Sequence, residues 1–203
     1  MVDVNIHGTM IRVAVPVVDA ASCPAVGSPD LEVDGSSSST ILEDATNHAY
    51  NGTFFTPTAG GSNRTICRVG WELTDQGATL AGKHFYTKIF TMSGDNLNQS
   101  PDHTPVPIEN GTSDALDGAN NWDAMGWRYC EWSGNKPTLT AGTKYAITLT
   151  LDTIDAQAPA WGYLNSESGE AQLTAWYIWM NTGDLHSSLF SGYGPSIRIY
   201  YYD

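Results

Sequence analysis

The chain has 203 residues, 41% of them hydrophobic, with 7 Trp and 10 Tyr, which is enough for one sizeable β domain and excludes a disordered chain. It carries 22 acidic and 9 basic residues, a net charge of −13, which argues against a phosphate-neutralising face for nucleic acid. His7, Arg12 and Pro16 interrupt the N-terminal apolar residues, so we expect neither a signal peptide nor a membrane span.

The first forty residues predict an arm or an extra strand beside the central core. Residues Met10–Val15 alternate as a strand does, and Pro16 ends it. Residues 21–40 contain two prolines and a run of four serines, which is typical of a loop or linker. We therefore divide the chain into an arm with its linker, residues 1–40, and a domain, residues 41–203. The arm either reaches a neighbouring copy or packs along its own domain.

In the remaining sequence, short runs of β-branched and aromatic residues alternate with turn signals. The predicted strands are His48–Thr56, Thr65–Thr74, His84–Met92, Trp127–Trp132, Lys144–Leu151, Ala160–Leu164, Leu173–Met180 and Ser196–Tyr202. Within Lys144–Leu151 the period of two predicts a half-buried strand with Tyr145, Ile147 and Leu149 facing the core. About eight or nine strands without a helix predict an all-β, antiparallel two-sheet β-sandwich of jelly-roll type with an N-terminal extension.

The three cysteines, Cys23, Cys67 and Cys130, form no CxxC pair, which disfavours a zinc site. An odd number allows at most one internal disulfide. Cys67 and Cys130 both lie in predicted strands and are one candidate pair, while free buried thiols are at least as good an alternative.

Several motifs follow one another in a familiar order. They are Phe55-Thr56-Pro57, Ile66 to Gly77, Phe85 to Phe90, Trp127 to Tyr129 and Leu139 to Leu149. Over residues 45–203 the chain thus resembles jelly-roll domains of bacterial surface and phage structural proteins, of the choice-of-anchor or carbohydrate-binding-module-like kind. The resemblance implies a binding or structural module. The first forty residues and the long polar passage Ser93–Asn121 depart from that pattern.

Catalytic signatures are absent from the sequence. It contains no HExxH, nucleophile elbow, P-loop or dinucleotide fingerprint, and its five histidines are scattered. A glycosidase-type pair of carboxylates cannot be singled out among 22 acidic residues. We therefore expect no enzyme.

Sugar binding is the sharper hypothesis, because Trp and Tyr rings stack on pyranose faces while Asn and Asp bind hydroxyl groups. The candidate residues are Trp161, Tyr163, Asn165, Trp176, Trp179, Asn181, Asp184 and Tyr193. For each Trp taken singly, a place in the core or in a subunit interface is favoured over sugar binding. Trp71 and Trp127 are predicted to be parts of the scaffold.

No metal or cofactor is expected, with structural calcium as an alternative. Asp114, Asp117, Asn120 and Asp123 have a suggestive spacing but do not form an EF-hand loop, so a solvated acidic loop is favoured.

The leading hypothesis is a non-enzymatic structural and surface-binding protein of the virion: a phage capsid decoration, fibre or tail-associated component. Its expected partners are further copies, other virion or surface proteins, and glycans; nucleic acid and membrane are not expected. A carbohydrate-binding or adhesion module of a secreted bacterial protein is the alternative, and a glycan-cleaving enzyme ranks third. The expected location is the virion or the cell surface, with the functional surface in loops 93–121 and 152–163.

Overall fold

A computed structural model describes residues 2–6, 9–13, 22–33, 38–41, 50–73, 84–93, 96–97, 106–117, 126–151, 161–164, 173–181, 184–188 and 196–202. These residues form strands and turns, and none of them is helical. The strands are β1 (Val2–Ile6), β2 (Thr9–Val13), β3 (Leu31–Val33), β4 (Ser38–Ile41), β5 (Tyr50–Phe55), β6 (Arg64–Leu73), β7 (His84–Ser93), β8 (Asn96–Leu97), β9 (Leu116–Asp117), β10 (Gly126–Glu131), β11 (Thr138–Leu139), β12 (Tyr145–Leu151), β13 (Trp161–Leu164), β14 (Leu173–Asn181), β15 (Asp184–Ser188) and β16 (Ile197–Tyr201).

Most strands belong to two antiparallel sheets. The smaller sheet has five strands in the order β10-β6-β16-β3, with β11 beside β6. The larger has seven in the order β15-β14-β5-β12-β7-β8, with β9 beside β7. Buried side chains of both sheets, such as Val69 and Ile199 of the smaller and Phe85 and Ile147 of the larger, form one hydrophobic core. The predicted all-β class is confirmed, and the two sheets are consistent with a β-sandwich.

Two further strand pairs lie outside these sheets. β1 pairs with β2, and β13 pairs with β4. The predicted strand Met10–Val15 is thus observed as far as Val13; its last two residues lie outside the described part of the chain. No helix in the described residues is long and apolar enough to cross a membrane.

Strand β12 is buried on both faces, which differs from the prediction of a half-buried strand. Its larger side chains join the core as predicted: Tyr145, Ile147 and Leu149. The smaller residues between them are also buried: Ala146, Thr148 and Thr150. β12 lies between β5 and β7 inside the larger sheet. Small side chains at these alternate positions are consistent with cover on the second face.

A β-bulge in β6 decides which way its side chains point. In the pairing with β16, Tyr200 lies opposite Arg68 but Tyr201 lies opposite Ile66, so Cys67 is the extra residue. Ile66 belongs to the core cluster together with Val69, whereas Cys67 does not. Strict alternation along β6 would place Cys67 on the face of Val69, but the bulge shifts the alternation by one residue and Ile66 takes that place.

Residues 22–33, here called the N-terminal segment, are fastened to the smaller sheet. Cys23 forms a disulfide with Cys67, with 5.7 Å between their Cα atoms. Beyond it, β3 pairs with β16 along the sheet edge. The prediction of a loop or linker is wrong for β3 and β4, because both are strands held by partners distant in sequence. The division at residue 40 stays a prediction.

The cysteine pairing also corrects the sequence-based alternatives. The candidate disulfide Cys67–Cys130 is wrong, since Cys67 is bonded to Cys23. Cys130 is a free thiol, fully buried in the core between the sheets.

Candidate functional site

The sugar-binding residues predicted from sequence do not all lie in one sheet. Trp161 and Tyr163 belong to β13, which pairs with β4. The larger sheet contains the others that the structure describes: Trp176, Trp179 and Asn181 in β14 and Asp184 in β15. The β14–β15 register places Asn181 opposite Asp184. Asn165 and Tyr193 lie outside the described residues. This site stays a prediction.

The acidic loop considered for calcium is described only in part. The Asp114 carboxylate accepts a hydrogen bond of 2.7 Å from the Ser133 backbone N–H, so it fixes a turn. Asn120 and Asp123 lie outside the described residues. Among the residues that are described, no three His, Cys, Asp or Glu side chains are grouped as metal ligands. Structural calcium therefore stays a prediction.

The two tryptophans predicted to be scaffold have different places. Trp71 is buried in the core, and its indole N–H donates a 2.9 Å hydrogen bond to the Thr87 hydroxyl. Trp127 is only half-buried and lies opposite Glu72, outside the core cluster. The scaffold prediction is confirmed for Trp71. Trp127 lies outside the core because Cys130, three residues further along β10, faces the core instead, and its role as scaffold stays a prediction.

Trp127 belongs to a cluster on the outer face of the smaller sheet that we call the aromatic–arginine platform. Its members come from three adjacent strands: Trp127 and Tyr129 of β10, Arg68 of β6, and Arg198 and Tyr200 of β16. The Arg198 guanidinium lies over the Trp127 ring, with 3.9 Å from Cζ to the ring centroid. It also donates a 3.2 Å hydrogen bond to the Tyr129 hydroxyl.

Each arginine of the platform is held by both a ring and a carboxylate. Arg198 Nε lies 2.6 Å from a Glu32 oxygen, which ties β16 to β3. Arg68 lies 5.2 Å from the ring centroid of Tyr200, and its Nε donates to Glu131. These pairings fix the orientation of planar groups that an isolated surface arginine would not keep.

Gly70 allows Tyr129 and Arg198 to lie next to each other in the middle of the platform. A Cβ atom at this position would stand 2.8 Å from Cε1 of Tyr129 and 3.2 Å from Cβ of Arg198. Only a residue without a side chain lets these two neighbours lie side by side over β6.

The N-terminal segment covers one end of the platform. The Tyr200 hydroxyl donates to the Val26 carbonyl, and Arg68 Nη1 donates to the Pro24 carbonyl at 2.6 Å. Burial raises the pKa of Tyr200 to about 12, and a hydrogen bond with Tyr129 adds to the rise against the opposing charges of both arginines. Tyr200 therefore remains a neutral donor at any physiological pH.

A polar pocket lies where the N-terminal segment meets the loop after β5. Its volume is about 270 Å³, and its lining residues are Asp30, Leu31, Pro57, Thr58, Gly61, Ser62, Arg64 and Tyr201. The Tyr201 backbone N–H donates a 2.7 Å hydrogen bond to Asp30 Oδ2. The Arg64 guanidinium lies 5.1 Å from the centroid of the Tyr201 ring.

Neither the platform nor the pocket emerged from the sequence. The platform had a usable signal, since Trp127 and Tyr129 alternate with Cys130, but the pattern alone did not say which face is buried. The pocket brings together Asp30 and Tyr201, which are 171 residues apart. No family model, curated protein or solved structure matches the chain.

Proposed function

We propose that this chain is a non-enzymatic structural and surface-binding protein of a virion, a capsid decoration, fibre or tail-associated component built on a jelly-roll β-sandwich. The platform is the observation that carries the proposal. Trp, Tyr and Arg are the residues that contribute most often to binding energy at protein interfaces. The half-buried members Trp127, Tyr129 and Arg198 are already fixed by stacking and hydrogen bonds, so a partner binds them with little loss of side-chain entropy.

The disulfide supports a location outside the reducing cytosol. Structural disulfides persist on virions, at cell surfaces and in secreted proteins, and they are rare in the cytosol. The Cys23–Cys67 bond holds the N-terminal segment onto the face that carries the platform. A particle exposed to its surroundings benefits from a surface fixed in this way.

Size-exclusion chromatography with light scattering tests the assembly part of the proposal. We expect an oligomer, or co-migration with a particle or filament partner, that Trp127→Ala weakens by removing the ring under Arg198. Tyr202→Ala is the matched control, since Tyr202 is an exposed aromatic next to the same sheet and outside the platform. A strict monomer without any particle or filament partner would contradict the assembly proposal.

A carbohydrate-binding or adhesion module of a secreted bacterial protein is the second candidate. The polar pocket and the disulfide favour it. A glycan array probes this function, with Trp161→Ala and Trp179→Ala testing the residues predicted from sequence. If no glycan on the array is bound, this second function is excluded. Depolymerisation of any polysaccharide by the purified chain would contradict the non-enzymatic assignment.

A further inference from the structure

We propose that the polar pocket binds one acidic sugar residue, a six-membered ring that carries a carboxylate. Arg64 binds the carboxylate and Asp30 accepts hydrogen bonds from ring hydroxyls. The inference deepens the proposed surface-binding function by naming a ligand class and a site, and it rests on that function. It concerns residues that are separate from the platform and from the residues predicted from sequence.

Arg64 differs from the two arginines of the platform in its partners. Arg68 and Arg198 each pair with a glutamate, Glu131 and Glu32 respectively. No ion pair or hydrogen bond joins the Arg64 guanidinium to another residue of the described chain; it stacks on the Tyr201 ring. With 22 acidic residues to 9 basic ones, carboxylate partners are abundant in this protein. An arginine left without one at a pocket presents its planar fork to an external carboxylate.

The carboxylate of Asp30 also lines the pocket. Asp30 Oδ2 is engaged by the Tyr201 backbone N–H at 2.7 Å. Oδ1 makes no hydrogen bond to any described residue, so its lone pairs are open to ligand hydroxyls. A ligand with hydroxyls on one side and a carboxylate on the other satisfies both groups.

The size and lining of the pocket suit a single sugar ring. Pockets for drug-sized ligands span roughly 300–1,000 Å³, so about 270 Å³ suits a single ring. Pro57 and Tyr201 are buried, whereas the polar lining residues Asp30, Ser62 and Arg64 are exposed. The surface of the pocket is thus mostly polar, which matches the hydroxyls and the carboxylate of an acidic sugar ring.

The walls of the pocket are fixed before any ligand arrives. On one side, Asp30 and Leu31 belong to the N-terminal segment, which the disulfide and β3 hold in place. On the other side, the Gly142 N–H donates to the Pro57 carbonyl at 2.8 Å, and the Gly61 N–H donates to the Thr58 carbonyl at 3.0 Å. Preformed walls reduce the entropy lost on binding.

The test is titration calorimetry of the full chain with sodium glucuronate and with glucose, which differ only in the carboxylate. N-acetylneuraminate is titrated as a second source of the same chemistry. We expect one of the two acids to bind with a Kd of about 1 mM and at least about tenfold more tightly than glucose. Arg64→Gln should weaken binding of that acid about tenfold, and Asp30→Asn, which keeps an oxygen for the Tyr201 N–H, should also weaken it.

Lys136→Gln is the matched control. Lys136 Nζ lies 4.9 Å from the centroid of the Tyr202 ring, a placement similar to that of Arg64 over Tyr201. Lys136 does not line the pocket. The substitution removes the same unit of charge and should leave binding unchanged. Thermal melting of each variant confirms that it is folded.

Equal binding of the acids and glucose overturns the proposal. So does equal loss in Arg64→Gln and Lys136→Gln, or the absence of saturable binding of both acids up to about 10 mM. If the pocket binds neither acid but the chain still assembles through Trp127, the proposed function stands without this ligand. If glucuronate binds through Arg64 but the chain is a strict monomer, the pocket stands and the assembly proposal falls.

Discussion

At the scale of single residues, Gly111 lies where backbone atoms leave no room for a side chain. A Cβ atom there would stand 2.8 Å from the carbonyl oxygens of both Ile108 and Ile89. Gly111→Ala should lower the free energy of unfolding by about 2–3 kcal/mol, since neither strand nor turn can yield cheaply. Gly134→Ala, with no atom within 4 Å of its Cβ, should stay within about 0.5 kcal/mol. Urea unfolding measures both; equal effects would contradict the close approach.

The buried thiol of Cys130 should make the free energy of unfolding fall at alkaline pH. Burial raises the pKa of its thiol from 9.0 to about 11, against opposing hydrogen bonds from Thr87 and Ser113. Below pH 9 the thiol is protonated in the folded and unfolded states alike. Above it, the unfolded thiol ionises while the folded one does not, so about 2–3 kcal/mol of stability should be lost between pH 9 and 11.

The measurement is urea unfolding of the wild type and Cys130→Ala at several pH values. Ionisation of other groups occurs in both proteins and cancels in the difference between them. That difference should shrink as the pH rises through this range. A difference that is constant with pH would show that the thiol is not shielded from solvent.

At the scale of elements, the disulfide fastens the N-terminal segment by closing a span of 44 residues. Closing such a loop lowers the entropy of the unfolded chain and stabilises the fold by about 3–4 kcal/mol. Cys23→Ser should lose this amount in denaturant unfolding. A reducing agent should lower the stability of the wild type similarly and leave the variant unchanged. If reduction has no effect on the wild type, the contacts of β3 and of Arg68 hold the segment by themselves.

The strands show what the sequence could and could not predict. The predicted strand Thr65–Thr74 differs from β6 by only one residue at each end. It could be predicted because the alternation of side chains along a strand is visible in the local sequence. The bulge at Cys67 and strand β3 depend on pairing with β16, far along the chain. A three-residue strand has too few positions for a visible period.

The platform and the polar pocket were harder to predict, because they too depend on contacts between residues far apart in the sequence. Trp127 was placed in a strand correctly, but the face it occupies depends on which neighbours β10 acquires. The pocket requires the N-terminal segment to lie beside the last strand. Composition favoured aromatic residues as ligands for sugars, whereas the site proposed at the pocket depends on Arg64, whose guanidinium has no charged partner among the described residues.

At the scale of the whole molecule, the net charge of −13 opposes the assembly proposed for this chain. Copies brought together repel one another, and the repulsion is screened over about 8 Å at 0.15 M salt and about 3 Å at 1 M. The fraction of oligomer should therefore rise with sodium chloride from about 0.05 to 0.5 M. It should also rise as the pH falls toward the isoelectric point near 4.5, where the net charge vanishes.

Light scattering at a fixed protein concentration measures both dependences. Trp127→Ala serves as the control, since it leaves the charge unchanged and should lower the oligomer fraction at every salt concentration. A fraction that falls with salt would contradict this prediction and mean that opposite charges join the copies. The exposed Glu131 beside Arg68 would then be the first group to neutralise, because it is the most accessible carboxylate of the platform's two ion pairs. Glu131→Gln would in that case remove the salt dependence while leaving Trp127 in place.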